Sequence, residues 1–265
     1  MNLKQLINKS VYGTIGYISS QDDINKLKQY IIYNLPILKE FKQIIVATNY
    51  SDIDLFHSSN KELWTKYFPQ CVLIDSFRNR GHNFGTADLD NMLFNYCKEE
   101  NIEWLFKTAT DFIFNSSIFD IKIEEADFYY MNGIGYGGMI KYNFDLNRII
   151  KEDFFPQTNF YFINVSKTDY INNKQYLDET YDYIQSIPSY NGKIWEYFQG
   201  WECEGFLKQC IERNNLIKYH LISQEKYRTL LQIIKEYNIH DPSHKNIMVE
   251  GICHFQYPNQ QIIEI

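Results

Sequence analysis

The 265-residue chain is long enough to bury a sizeable core, and its 45% hydrophobic and 17% aromatic content excludes a disordered protein. A net charge of −7, a pI near 5.4 and the absence of a long Lys/Arg run argue against nucleic acid as a main partner. Five scattered cysteines without C-x-x-C spacing, no apolar signal core at the N-terminus and no apolar run of bilayer length lead us to expect a cytoplasmic protein with reduced, mostly buried thiols and no membrane span.

Taken in order, Val11 to Ser19 is a short β-branched run followed by a turn signal, which reads as the first strand. Gln21-Asp22-Asp23 then opens a helix, with Ile24, Leu27, Ile31, Ile32, Leu35 and Leu38 at helical spacing and acids in its first turn. Lys42 to Thr48 is a second strand ending in the polar turn Asn49-Tyr50-Ser51-Asp52, which completes a βαβ unit. Cys71 to Ser76 is a third strand, and it feeds a loop punctuated by Asn79, Gly81, Asn83 and Gly85. A helix is expected over Thr86 to Glu99, with Thr86 or Asp88 as N-cap, and a fourth strand from Trp104 that delivers Asp111 to its end. In an open parallel sheet ligands sit beyond the carboxyl ends of the strands, where Asn49, Asn83 and Asp111 all fall.

Further on, Phe128 to Met131, Met139 to Tyr142 and Asn159 to Val165 read as strands. Helices are expected over Lys174 to Gln185, from Glu204 onward with Phe206, Leu207, Cys210 and Ile211 inward, and over Gln224 to Tyr237. Gly133 to Gly138 matches G-x-G-x-x-G, but the β-like MIKYNF follows it where the dinucleotide fingerprint requires a helix, so it reads as a turn near the acceptor cleft.

Three groups carry candidate chemistry. Asp111, at a strand end, suits a divalent cation that neutralises a diphosphate, and Lys107 precedes it by an even spacing. Glu202 and Glu204 stand where a loop enters a helix beside Trp195 and Trp201, an apolar setting that raises a carboxylate's pKa and fits it to take a proton from a hydroxyl. His240, His244 and His254, with Lys245, supply metal or diphosphate contacts. Each has a plainer reading as a cap, a solvated charge or a structural histidine.

At these residues the chain resembles a nucleotide-sugar glycosyltransferase of the GT-A fold, close to the large family-2 inverting type, over Val11 to Phe119 and again over Gly200 to Asn246. IIVATNYSD is similar to the family's D-N-x-S-x-D strand end, which puts Asn49 and Asp52 near base and ribose. NRGHNFGTAD looks like its N-x-G loop, bringing Arg80, Asn83, Gly85 and Asp88 to the donor, and KTATDFIFN resembles its K-x-D-x-D segment with Lys107 and the metal-binding Asp111. GWECEGF is similar to G-W-x-x-E-D, which makes Glu204, ahead of Glu202, the acceptor-activating base; in IHDPSHKN, His240 would meet the metal and Lys245 the diphosphate. Ala109 and Gly205 depart from the pattern, each replacing an aspartate.

The resemblance implies a Rossmann-like, GT-A type α/β fold: a mixed, mainly parallel sheet flanked by helices, with a C-terminal helical and loop appendage. It divides a single domain into a nucleotide-sugar-binding half, 1–119, and an acceptor half, 120–265. It implies transfer from a UDP- or GDP-sugar to a glycan or other hydroxyl acceptor, with Mn²⁺ or Mg²⁺. Two other classes stay open. A sugar-phosphate nucleotidyltransferase would share the sheet, but the first strand is not followed by a Gly-rich, basic triphosphate loop. A non-catalytic carbohydrate- or nucleotide-binding protein would account for Ala109 and Gly205 directly.

Overall fold

The computed structural model describes residues 1–76, 80–110, 112–132, 140–143, 148–152, 156–169, 178–179, 182, 203–222, 246–254 and 262–264. The chain begins with a short helix, α1 (Leu3–Ile7), held by a reciprocal Asn2–Gln5 capping box. Strand β1 (Val11–Ile18) leads into α2 (Gln21–Leu38), whose N-cap Ser20 accepts from the Asp23 amide. Then come β2 (Ile44–Tyr50), α3 (Ile53–Tyr67), β3 (Val72–Ser76), α4 (Gly81–Glu99), β4 (Trp104–Ala109) and β5 (Phe112–Phe114). The second half contributes β6 (Phe128–Asn132), β7 (Ile140–Asn143), β8 (Arg148–Glu152), β9 (Pro156–Asn164), α5 (Cys203–Arg213) and β10 (Lys218–His220). The last strands are β11 (Asn246–Val249), β12 (Ile252–His254) and β13 (Ile262–Glu264).

Seven strands form the main sheet in the order β10-β6-β9-β4-β1-β2-β3. All run parallel except β9, which is antiparallel to both β4 and β6. This is a mixed, mainly parallel, Rossmann-like α/β sheet flanked by helices. Every residue of β2 is buried, as expected of a parallel strand covered on both faces. Side chains alternate across β1 and β2: Tyr12, Ile18, Ile44 and Val46 pack with α2 and α3, while Val11, Ile15, Ile45 and Ala47 pack with α4 and α5. Phe106 stacks on Phe162 at 4.0 Å between ring centroids and also meets Tyr12, Phe41, Phe114 and Phe160, so this part of the aromatic content is core.

The smaller sheet has the order β13-β11-β12-β5. Its β11–β12 hairpin turns on Glu250 and Gly251, both at positive φ, and a Cβ on Gly251 would lie 2.5 Å from the Ile118 amide nitrogen. Asn34, wholly buried on α2, ties the helix to β5: it donates to the Phe112 carbonyl at 2.7 Å and accepts from the Phe114 amide at 2.8 Å.

Several boundaries differ from the sequence reading. Strand β2 runs on through Asn49 and Tyr50, and α3, capped by Asp52, stands where no helix was expected. Helix α4 starts at Gly81, so Gly81 to Gly85 form its first turns and neither Thr86 nor Asp88 is the cap. Ile32 is 48% exposed; polar Asn34 and Tyr30 complete the inner face of α2 instead. The expected helix from Glu204 is α5, with Leu207, Cys210 and Ile211 buried. The Gly133–Gly138 stretch and the helix expected over Gln224 to Tyr237 lie outside the described residues, as does most of that expected over Lys174 to Gln185.

All five cysteines are free thiols, and Cys71 alone is not fully buried. Burial pushes Cys97, Cys210 and Cys253 up to about 12, leaving almost no thiolate at neutral pH. An aromatic disulfide reagent is therefore expected to titrate Cys71 first in the native protein, and all five thiols only in denaturant.

Candidate functional site

The sheet reverses direction of growth at β1: the chain moves outward to β2 and β3 on one side, then returns to place β4 on the other. The crevice beyond the carboxyl ends at such a switch point is where open α/β sheets bind ligands. Here the strand ends bring together Gly16–Ile18, Thr48–Tyr50, Asp75–Ser76 and Thr108–Thr110.

Tyr17 and Asn49 are register partners on β1 and β2, and alternation puts both on the α4 face. Tyr17 is 50% exposed at the end of an otherwise buried strand. Asn49 is only 3% exposed, and its Oδ1 has no hydrogen-bond partner among the described residues. Helix α4, which packs on β1 and β2, begins at this edge with no side-chain cap hydrogen bond and no acid in its first turn. In contrast, α2 is capped by Ser20 with Asp22 and Asp23 in its first turn, and α3 is capped by Asp52. An aromatic face, an unmatched amide carbonyl and a helix N-terminus without a side-chain cap thus lie along the same edge of the sheet. Tyr17 was missed from sequence; a tyrosine closing an apolar strand was the available signal.

A polar network walls the β3 side. The Tyr50 hydroxyl donates to Asp75 at 2.7 Å and accepts from Asn60 Nδ2 at 2.9 Å, while His57 Nε2 lies 2.9 Å from the other Asp75 oxygen. Burial, reinforced by Asp75, raises the Tyr50 pKa and keeps it a proton donor.

The expected donor contacts fall differently. Arg80 Nε donates to Asp88 Oδ2 at 2.7 Å, its Nη2 meets Oδ1, and its Nη1 lies 2.8 Å from Asp178. Arg80 and Asp88 are therefore engaged with each other inside the protein. Burial opposes the Arg80 charge, but the two carboxylates outweigh it and raise its pKa. Lys107 is 0% exposed, with its ammonium 3.0 Å from the equally buried Asp90 and bonded to the Thr158 carbonyl. It faces the core rather than the crevice. Asp52 accepts from the Leu55 amide at 3.1 Å as the α3 cap. Asn83 and Gly85 lie in the opening turns of α4, at the edge expected for them.

Glu204 is the second residue of α5, and nothing is described of its side chain. Asp111, Glu202, His240, His244 and Lys245 lie outside the described residues. Among the described residues no group of three or more His, Cys, Asp or Glu could hold a metal ion. Of the expected metal ligands, His254 alone lies among the described residues, where β12 pairs it with Phe112 of β5. No helix among the described residues is long and apolar enough to cross a membrane.

No family model matches the chain, and no curated protein matches it. Among solved structures, HddC from Yersinia pseudotuberculosis aligns over 60% of this chain and 78% of its own at 12% identity, with a TM-score of 0.36. A nucleoside-diphosphate-sugar pyrophosphorylase from Vibrio cholerae RC9 aligns over 78% of this chain and 90% of its own at 11% identity, with a TM-score of 0.42. Neither likeness is close enough to carry an argument about chemistry, which rests on the residues of the crevice.

Proposed function

We propose that the chain is a transferase acting on nucleotide sugars, with the nucleotide lying along the carboxyl edge of β1 and β2. The observation that carries this is the pairing of exposed Tyr17 with unmatched Asn49 at the switch point, on the sheet edge where α4 begins without a side-chain cap. In this reading the base stacks on Tyr17, Asn49 accepts from it, and the diphosphate meets the amides of α4. The reaction is glycosyl transfer: Glu204 takes the proton of an acceptor hydroxyl as that oxygen attacks the anomeric carbon and the nucleoside diphosphate leaves. Asp111, with a late histidine from His240, His244 or His254, would hold Mn²⁺ or Mg²⁺. Such an ion, when bound, supplies positive charge to the departing diphosphate.

Nucleotidyl transfer to a sugar phosphate is the competing reading. It would use the same crevice, and pyrophosphorylase is the name carried by the Vibrio cholerae neighbour. It calls for a phosphate cradle after β1, where Ser19 and Ser20 donate instead to Asp23, so that a carboxylate already occupies the start of α2.

Calorimetry and product analysis separate the two. UDP- or GDP-sugar is expected to bind, and Glu204→Gln to keep that affinity while transfer falls by roughly 10²- to 10⁴-fold, the usual contribution of a general base. Diphosphate release from a nucleoside triphosphate and a sugar phosphate, insensitive to Glu204→Gln, would establish the competing reading. Failure of both sugar nucleotides to bind at about millimolar concentration would end the proposal.

A further inference from the structure

A cavity of about 290 Å³ lies between the sheet and helices α2 and α3, with its rim at the end of β1. Its size is at the lower end of small-ligand sites, about 300 Å³. Buried Tyr30, Thr48, Asn60 and Trp64 line its deep side, and Thr110 and the exposed Lys26 lie at the rim. Alternation along β2 puts Thr48 on the face opposite Asn49, so the deep wall is separate from the Asn49 side chain, while Tyr17 at the rim is shared with the crevice.

Two of the deep lining residues are chemically unfinished. Asn60 Nδ2 donates to the Tyr50 and Thr48 hydroxyls at 2.9 and 3.3 Å, which orients the amide and leaves its Oδ1 without a partner among the described residues. Trp64 Nε1 likewise has none, although both side chains are 0% exposed. Leaving such a group without a partner is costly, and folded proteins retain few. The deep wall is neutral: an N–H donor, a carbonyl acceptor, a hydroxyl and two aromatic rings. An anion would find no buried cation there, and an apolar guest would leave both orphans unmet. Hydroxyl groups, which donate and accept at once, satisfy both.

We propose that this cavity binds a small neutral polyhydroxylated molecule, a monosaccharide or polyol, through the Trp64 indole N–H, the Asn60 carbonyl and the Thr48 hydroxyl. It adjoins the nucleotide crevice at Tyr17, and its test, made without nucleotide and read at Trp64, stands or falls separately from the proposed function.

The test is a proton–nitrogen spectrum of the full chain with its four tryptophans labelled at the indole nitrogen. Glucose, mannose, N-acetylglucosamine and myo-inositol are added to roughly 20 mM, enough to saturate a millimolar site. The Trp64 signal, identified by its loss in Trp64→Phe or by direct assignment should that variant not fold, shifts with at least one of them. The signals of Trp104, Trp195 and Trp201 stay in place, and Thr48→Val weakens the binding by about fivefold or more. A Trp64 signal unmoved by every compound, or moving together with all the others, overturns the proposal and assigns the cavity to water alone.

Discussion

Asp90→Ala is expected to destabilise the fold by about 3–5 kcal/mol, read by urea denaturation, because it strands the Lys107 ammonium in the core. Both side chains are 0% exposed and 3.0 Å apart, and the ammonium otherwise meets the Thr158 carbonyl and the face of the Tyr161 ring, both on β9 and neither carrying a compensating charge. Replacing the pair together, Asp90→Leu with Lys107→Met, is expected to recover most of that loss, since a packed apolar pair of similar volume avoids the cost of burying charge. The double variant also bears on function. If Lys107 contacted a donor phosphate, nucleotide affinity would fall in the rescued protein; its full burial against Asp90 of α4 predicts unchanged affinity.

Tyr17→Ala is expected to weaken binding of UDP- or GDP-sugar roughly 10- to 100-fold by calorimetry, the effect of removing about 1–3 kcal/mol of base stacking. Tyr17→Phe keeps the ring and is expected to stay near wild type. Neither change should alter stability much, because the side chain is half exposed at a strand end. An affinity unchanged in Tyr17→Ala would move the nucleotide away from the switch point.

The first four strands of the main sheet were legible because each is a short β-branched or aromatic run bounded by polar turns. Helix α3 was not: its buried side chains are Phe56, Asn60 and Trp64, too few and too polar to register as an apolar stripe. Its cap, Asp52, looked like a ligand residue for the same reason that caps and ligands share residue types. The start of α4 was hidden because Gly81, Asn83 and Gly85 read as loop, whereas the structure continues the helix through them. Arg80 and Lys107 were sensible phosphate contacts by charge alone, but sequence does not reveal which carboxylate a cation faces; Asp88, Asp178 and Asp90 decide that. The carboxyl-edge crevice, where the proposed site is placed, was legible because it follows from strand order. Tyr17 emerged only once register placed it beside Asn49.

The position of β9 has a consequence for how the chain comes to be folded. Strand β4 ends at Ala109, yet its outer neighbour is β9, which begins at Pro156, and β9 in turn separates β4 from β6. As the chain emerges from the ribosome, β1 to β4 can assemble first, but β4 then presents an unpaired edge until the intervening segment has been made and β9 has threaded in antiparallel between two strands synthesised before it. Such non-local pairing is slow. The growing chain thus carries its greatest risk of edge-to-edge association while the half that binds nucleotide in the proposed function is already in place.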